Sequence, residues 1–261
     1  MKNISEEAGL DRAALDAAAS IGAAPRLSFV VPAHNEEHEL PASLGAIRAA
    51  ADASRQTYEL IVVDDASTDA TAEIARRFGA CVVAIDRRQI AAARNAGARH
   101  TRGEILFFVD ADTRIAPHHV LLGLRALEEG CSGGSARVLP DRALPFWANV
   151  FLHTFSAIYF TAGLGAGAFI FTRRAFFETA GGFDEQYFAG EEVYLSLALK
   201  KLGRFKILRE PIVTSARKVR MHSSRFVLTQ TFFLLLGGKR SLRTRDRLAL
   251  WYDGKRERPA T

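Results

Sequence analysis

An α/β fold built on a mainly parallel central sheet flanked by helices is predicted by three features of the sequence. Short apolar runs alternate with amphipathic ones in the order βαβαβαβ over the first part of the chain. These runs are rich in Val, Ile and Phe and lack the polar alternation of a half-exposed strand, which suits strands covered on both faces. Polar clusters follow directly on the runs, and open α/β sheets collect ligands beyond the carboxyl ends of their strands.

The predicted strands are RLSFVV (26–31), YELIVV (58–63), CVVAI (81–85) and EILFFV (104–109). Helical stretches lie between them: ELPASLGAIRAAADA, then DATAEIARRFG with a glycine stop, then QIAAARNAGARH. Right-handed crossovers then bring PAHNEE after strand one, DDASTD after strand two and DADT after strand four to one edge of the sheet. Beyond about residue 131 the pattern loosens into a candidate strand, an aromatic stretch, a second apolar strand (AFIFT), and helices around RRAFFETA and EEVYLSLALKKLG. This half is expected to build the other wall of the same cleft.

With 261 residues, 48% of them hydrophobic, the chain has ample material for one large core. Residues 1–25 read as a tail or loose helix, 26–222 as one domain with halves 26–130 and 131–222, and 223–261 as an amphipathic, basic extension. A formal charge of +6 favours anionic partners. Those basic residues sit mostly in the tail rather than along one recognition face, which argues against nucleic acid. The Ala-rich, acid-bearing start does not read as an export signal. Cys81 and Cys131 fit buried thiols in a reducing, cytoplasmic setting. Neither 144–171 nor 226–238 supplies the run of about 18 apolar residues that spanning a bilayer needs.

Asp64 and Asp65 close one buried strand and Asp110 and Asp112 another, so four carboxylates should face one crevice. A divalent cation, Mg²⁺ or Mn²⁺, would relieve their repulsion while taking substrate phosphates as further ligands. The alternative is ordinary turn chemistry, with Asp112-Thr113 starting the helix at Pro117. Ser67 and Asp69 read as caps of the following helix.

FVVPAHNEE, VVDDASTDATAEIA, AARNAGARHTRGEILFFVDADT, GAGAFIFTRRAFFETAGGFDEQYFAGEEVYLSLALKKLG and TSARK occur in the order found in the family 2 glycosyltransferases, which have the GT-A fold, a Rossmann-like sheet with an acceptor-side half. The chain resembles that family over roughly residues 27–218. The resemblance implies that Pro32, Ala33 and Glu36 border the base and ribose of a nucleotide-diphosphate sugar, with Asp65 and Asp64 on the base. Asp110, Ala111 and Asp112 match the DxD motif, Asp110 lying near ribose and metal and Asp112 ligating the metal. Arg94 and Asn95 would shape the nucleotide side of the pocket; their alternatives are a helix-surface arginine and a capping asparagine.

The family's catalytic base is the second acid of a Glu-Asp pair, which maps onto Glu192, with Glu191 beside it; Glu in place of Asp leaves the choice between the two open. Both acids alternatively complement a helix N-terminus. Gly182 and Asp184, in GGFDE, would approach acceptor and donor sugar. Arg217 and Lys218 would neutralise the diphosphate and His222 would complete the metal shell, unless this stretch is a solvated basic surface.

The activity so implied is metal-dependent, inverting transfer of a sugar to the hydroxyl of a saccharide, a lipid-linked or a small-molecule acceptor. A nucleotide-sugar-binding protein without turnover and a sugar-phosphate nucleotidyltransferase stand as alternatives. The aromatic stretch FWANVFLHTFSAIYF is read as packed core of the acceptor half; the alternative is a shelf for a lipid-linked acceptor, which with the basic tail allows peripheral contact with the inner membrane face.

Overall fold

The computed structural model describes residues 24–143, 156, 159–217, 221, 229 and 242–244. Among them an eight-stranded sheet forms from β1 (Leu27–Ala33), β2 (Tyr58–Asp65), β3 (Cys81–Ile85), β4 (Ile105–Val109), β5 (Thr113–Arg114), β6 (Cys131–Pro140), β7 (Phe169–Arg173) and β8 (Arg204–Thr214). Its order is β3-β2-β1-β4-β7-β6-β8-β5. The pairs β3-β2, β2-β1 and β1-β4 are parallel, as the βαβ alternation requires, and β4-β7 turns antiparallel. The later half of the chain thereby extends the same sheet.

The helices are α1 (Leu40–Ala53), α2 (Thr71–Arg77), α3 (Ile90–Arg99), α4 (Pro117–Glu128), α5 (Arg174–Thr179) and α6 (Glu191–Leu202). Proline opens α1 and α4 in the first turn, where its missing N–H costs nothing. Alternation along the strands splits the core between the two faces. Leu27, Phe29 and Val31 of β1 and Ile105, Phe107 and Val109 of β4 pack with Leu40, Leu44 and Ile47 of α1 and with α4. Val30, Leu106 and Phe108 pack on the opposite side with α3, Leu195 and Leu199. A Cβ on Gly97 would come within 2.3 Å of Val30 Cγ1 and 2.9 Å of Val63 Cγ2, so only glycine lets α3 sit this close to β1 and β2.

Several expectations change. The strand 81–85 is the sheet's edge, with only Val83 buried, so Cys81 is half-buried, whereas Cys131 is buried as predicted. Asp112-Thr113 does not begin a helix: Thr113 and Arg114 pair with Thr214 and Val213, and the N-cap of α4 is Ala116. Ser67 accepts a hydrogen bond from Asn35 N–H rather than capping α2, while Asp69 Oδ1 accepts from Thr71 N–H at the helix start. No helix among the described residues is long and apolar enough to cross a membrane.

Candidate active site

The register that sets Ala33 opposite Asp64, and the parallel run of β4 beside β1, gather three loops at one sheet edge. Between them opens a cleft of about 400 Å³ lined by Pro32, Ala33, Glu36, Asp65, Asp110, Ala111, Asp112 and Arg217 among others. All eight were expected there. Asp64 does not line it: neighbouring strand residues point to opposite faces, and Asp64 Oδ1 accepts the Ser67 N–H at 3.2 Å.

Asp65 closes the far side of the cleft. Its Oδ1 accepts the N–H groups of Arg87 and Arg88, both at 2.7 Å, and its Oδ2 accepts that of Gln89 at 2.8 Å. The turn after β3 is thus folded around one carboxylate. Arg88 is held with φ at +49°, a left-handed conformation uncommon outside glycine, and its side chain lines the cleft beside His34. Sequence reasoning missed both residues. The signal available was their position, directly after the carboxyl ends of strands three and one.

Arg94 is the centre of the site. At 1% exposure it is no helix-surface arginine. Its Nη1 donates to Glu191 Oε1 at 2.6 Å, its Nη2 to Asp110 Oδ1 at 2.7 Å and to the Gly167 carbonyl at 2.8 Å, and the guanidinium lies 5.1 Å from the centre of the Phe183 ring. Burial works against its charge, but Asp110 and Glu191 outweigh burial and hold it protonated. Asn95 does not cap its helix. It donates to the Phe183 carbonyl and to Glu185 and accepts the Phe183 N–H, fastening the loop that carries GGFDE.

Gly190, at φ +76°, turns the chain into α6 and delivers Glu191 and Glu192 in its first turn. Glu191 is buried against Arg94, and its Oε2 has no hydrogen-bond partner among the described residues. Glu192 keeps part of its surface exposed. Burial first and the adjoining Glu191 second push its carboxyl up to about 8, with Arg94 opposing. The Tyr159 hydroxyl donates to the Gly165 carbonyl at 2.8 Å, and it is raised by its own burial and by the negative charge of Glu192. Burial likewise raises Asp110 despite Arg94. A charge imbalance adds to burial, since one guanidinium faces Asp110, Glu191 and Glu192.

At the other end of the cleft the Arg217 guanidinium is buried between two carboxylates. Its Nη2 donates to Glu36 Oε1 at 2.5 Å and lies 3.2 Å from Asp112 Oδ2. The expectation that four carboxylates face one crevice is therefore corrected: Asp64 lies outside it, and donors of the protein already meet all four charges. Backbone N–H groups hold Asp64 and Asp65, and two arginines hold Asp110 and Asp112. No group of three or more His, Cys, Asp or Glu that would hold a metal exists among the described residues. Asp110 and Asp112, with side chains 25% and 21% exposed, nevertheless line one cleft with hard oxygen donors. That fits Mg²⁺ or Mn²⁺, which takes one or two protein carboxylates and completes its shell from water and phosphate.

Gly182 and Asp184 do not line this cleft. They border a second hollow with Asn95, Arg99 and Tyr194, and Asp184 Oδ1 accepts the Gln186 N–H at 2.9 Å. Lys218 and His222 lie outside the described residues, as does most of the aromatic stretch.

A model of the family described as Glycosyl transferase family 2 matches residues 28–178, more than half of the 261. The chain belongs to this family. Curated relatives of the family 2 chain include the undecaprenyl-phosphate 4-deoxy-4-formamido-L-arabinose transferase of Serratia proteamaculans, 32% identical over 112 residues, 40% of this chain and 34% of that one. Another is the glycosyltransferase AglE of Haloferax volcanii, 35% identical over 100 residues, 36% of this chain and 32% of that one. The chain spans about a third of the length of these relatives.

Among solved structures, glucosyl-3-phosphoglycerate synthase of Mycobacterium tuberculosis, in complex with Mn²⁺, UDP and glucosyl-3-phosphoglycerate, superposes with a TM-score of 0.57 at 22% identity over 82% of this chain and 79% of that one. The Staphylococcus aureus protein TarS 1-349 in complex with UDP-GlcNAc does so at 0.56, with 20% identity over 73% of this chain and 58% of that one. These likenesses establish the GT-A fold of the family 2 chain.

Proposed function

We propose that this family 2 glycosyltransferase moves a sugar, with inversion, from a nucleoside-diphosphate sugar to an acceptor hydroxyl. The observation that carries the reading is the joined pair of ends of the site: Arg94 links Asp110, at the donor cleft, to Glu191, at the head of α6. Donor and acceptor chemistry would thus meet across one guanidinium.

In this reading the base of the nucleotide lies between Pro32, Ala33 and Asp65, with Arg88 and His34 at its edge. Asp110 and Asp112 would hold a divalent cation, which when bound supplies Lewis acidity at the leaving diphosphate. Glu192 takes the proton of the acceptor hydroxyl. Glu191 is unsuited to that task because its carboxylate is buried and committed to Arg94, whereas Glu192 is partly open and titrates near the pH at which it must work. One base without a second nucleophile suits single displacement, hence inversion. The acceptor is a saccharide, a lipid-linked or a small hydroxyl compound. The names of the relatives that mention undecaprenyl phosphate and the basic extension favour reaction at the inner membrane face.

The test is release of nucleoside diphosphate from a panel of UDP- and GDP-sugars with Mn²⁺, with the anomeric configuration of the product read by NMR. Loss of release in Glu192→Gln with nucleotide binding retained supports the assignment. Full activity of that variant, or a retained configuration, overturns it.

A further inference from the structure

We infer that Arg217 is an internal stand-in for the divalent cation: in the ligand-free protein it bridges Glu36 and Asp112, and it is exchanged out of that position when the donor binds. The inference rests on the donor reading above, and extends it to how the site is kept assembled before the donor arrives.

Three observations carry it. Arg217 is only 6% exposed, yet it lines the ligand cleft, as do Asp110 and Ala111, rather than lying in the core. One nitrogen, Nη2, serves both Glu36 and Asp112, two carboxylates 76 positions apart in sequence. The buried Nε–H of Arg217 has no acceptor among the described residues, so the guanidinium is not fully satisfied where it rests. Arg94 likewise leaves its Nε–H without an acceptor among the described residues, but it spreads two nitrogens over three acceptors, whereas Arg217 places one nitrogen on both of its carboxylates.

The backbone provides a fixed base for a moving side chain. Ser215 N–H donates to the Asp112 carbonyl at 3.1 Å and Ala216 N–H to Asp141 Oδ1 at 2.9 Å, so the residues just before Arg217 are pinned to the rim. From there the side chain has two calls on its charge. Without ligand it neutralises Asp112. With a diphosphate in the cleft it leaves Asp112 to pair with the phosphate oxygens, and Asp112 is released for the metal. The net charge of the cleft is conserved through the exchange, because a divalent cation and the two negative charges of a nucleoside-diphosphate sugar enter together while Arg217 moves from carboxylate to phosphate within it.

The consequence is an opposed pair of effects that a simple diphosphate-binding arginine would not produce. In Arg217→Gln, Mn²⁺ alone should bind several-fold more tightly than to the wild type, measured by the electron paramagnetic resonance of free Mn²⁺ without nucleotide. UDP or GDP with Mn²⁺ should bind several-fold more weakly, measured by calorimetry. Arg217→Lys, whose single ammonium covers the two carboxylates less well, should fall between on both scales. Asp112→Asn in the Arg217→Gln background should abolish the gain. Mn²⁺ binding that is unchanged, weaker or undetectable in a folded Arg217→Gln protein overturns the exchange. A gain in Mn²⁺ affinity with no nucleotide binding in any variant upholds the stand-in role and removes the donor reading instead.

Discussion

Arg94 Nη1 and Glu191 Oε1 lie 2.6 Å apart with both side chains almost wholly buried, at 1% and 4% exposure. The contact joins α3 to the first turn of α6 across 97 positions of sequence, and the same guanidinium holds Asp110 at the end of β4. Removing one partner of such a buried pair strands the other charge, which costs about 3–5 kcal/mol. Arg94→Ala is therefore expected to lower stability by roughly that amount in guanidinium unfolding. Arg94→Lys should recover only part of it, because one ammonium does not reproduce the planar fork. Unfolding midpoints of Arg94→Ala equal to the wild type would remove Arg94 from the centre of the site.

Glu192 and Glu191 should separate cleanly on substitution. Glu192→Gln keeps shape, and is expected to slow turnover by about 10²–10⁴-fold with no loss of stability and little change in nucleotide affinity. Glu191→Gln should act on the fold instead, since it withdraws the counter-charge of a buried Arg94. Steady-state kinetics beside thermal melts of the two variants distinguishes base from support.

The raised carboxyl of Glu192 sets a pH dependence with a definite sign. Folded protein keeps the proton up to about 8, while the ordinary carboxyl value is 4.5, so across that window the folded state binds more protons than the unfolded one. Its contribution to stability is full below the lower value and is lost as pH rises through the upper one. Turnover moves the opposite way, climbing toward pH 8 as the base form accumulates. Denaturant unfolding at pH 6 and pH 9 should show the loss in wild type and a smaller loss in Glu192→Gln. A pH-rate profile already flat at pH 6 contradicts the assignment.

Much of this arrangement was legible because β1, β2 and β4 are covered on both faces and so write nearly continuous apolar runs, ending in the polar residues that line the cleft. The strand Arg204–Thr214 was not legible. Its alternation breaks where Arg209, Glu210 and Pro211 are exposed in a row, and it carries Arg, Lys and Glu, so neither an apolar run nor a sustained period announces it. Arg94 was ambiguous for a different reason. IAAARNAGAR is half alanine, which marks no buried stripe, and the carboxylates that fix Arg94 come from β4 and α6. Helix packing through Gly97 buries nearly the whole of α3, and only a three-dimensional neighbourhood shows it.

Asp65 provides a last test, of how the nucleotide side is shaped. Its carboxylate holds three consecutive backbone N–H groups, Arg87, Arg88 and Gln89, in a turn that includes the left-handed Arg88. Asp65→Ala leaves those donors without their acceptor and removes the force that keeps Arg88 in its conformation. Hydrogen bonds to a charged group contribute about 1.5–3 kcal/mol each when buried, and partial rehydration of this turn reduces the total, so a loss of roughly 2–3 kcal/mol is expected. Amide hydrogen exchange should rise most at Arg87, Arg88 and Gln89, ahead of the core of β1 and β2. Asp65→Asn retains an acceptor oxygen and should show a smaller rise, whereas equal protection of the three amides in wild type and Asp65→Ala would exclude Asp65 as their anchor.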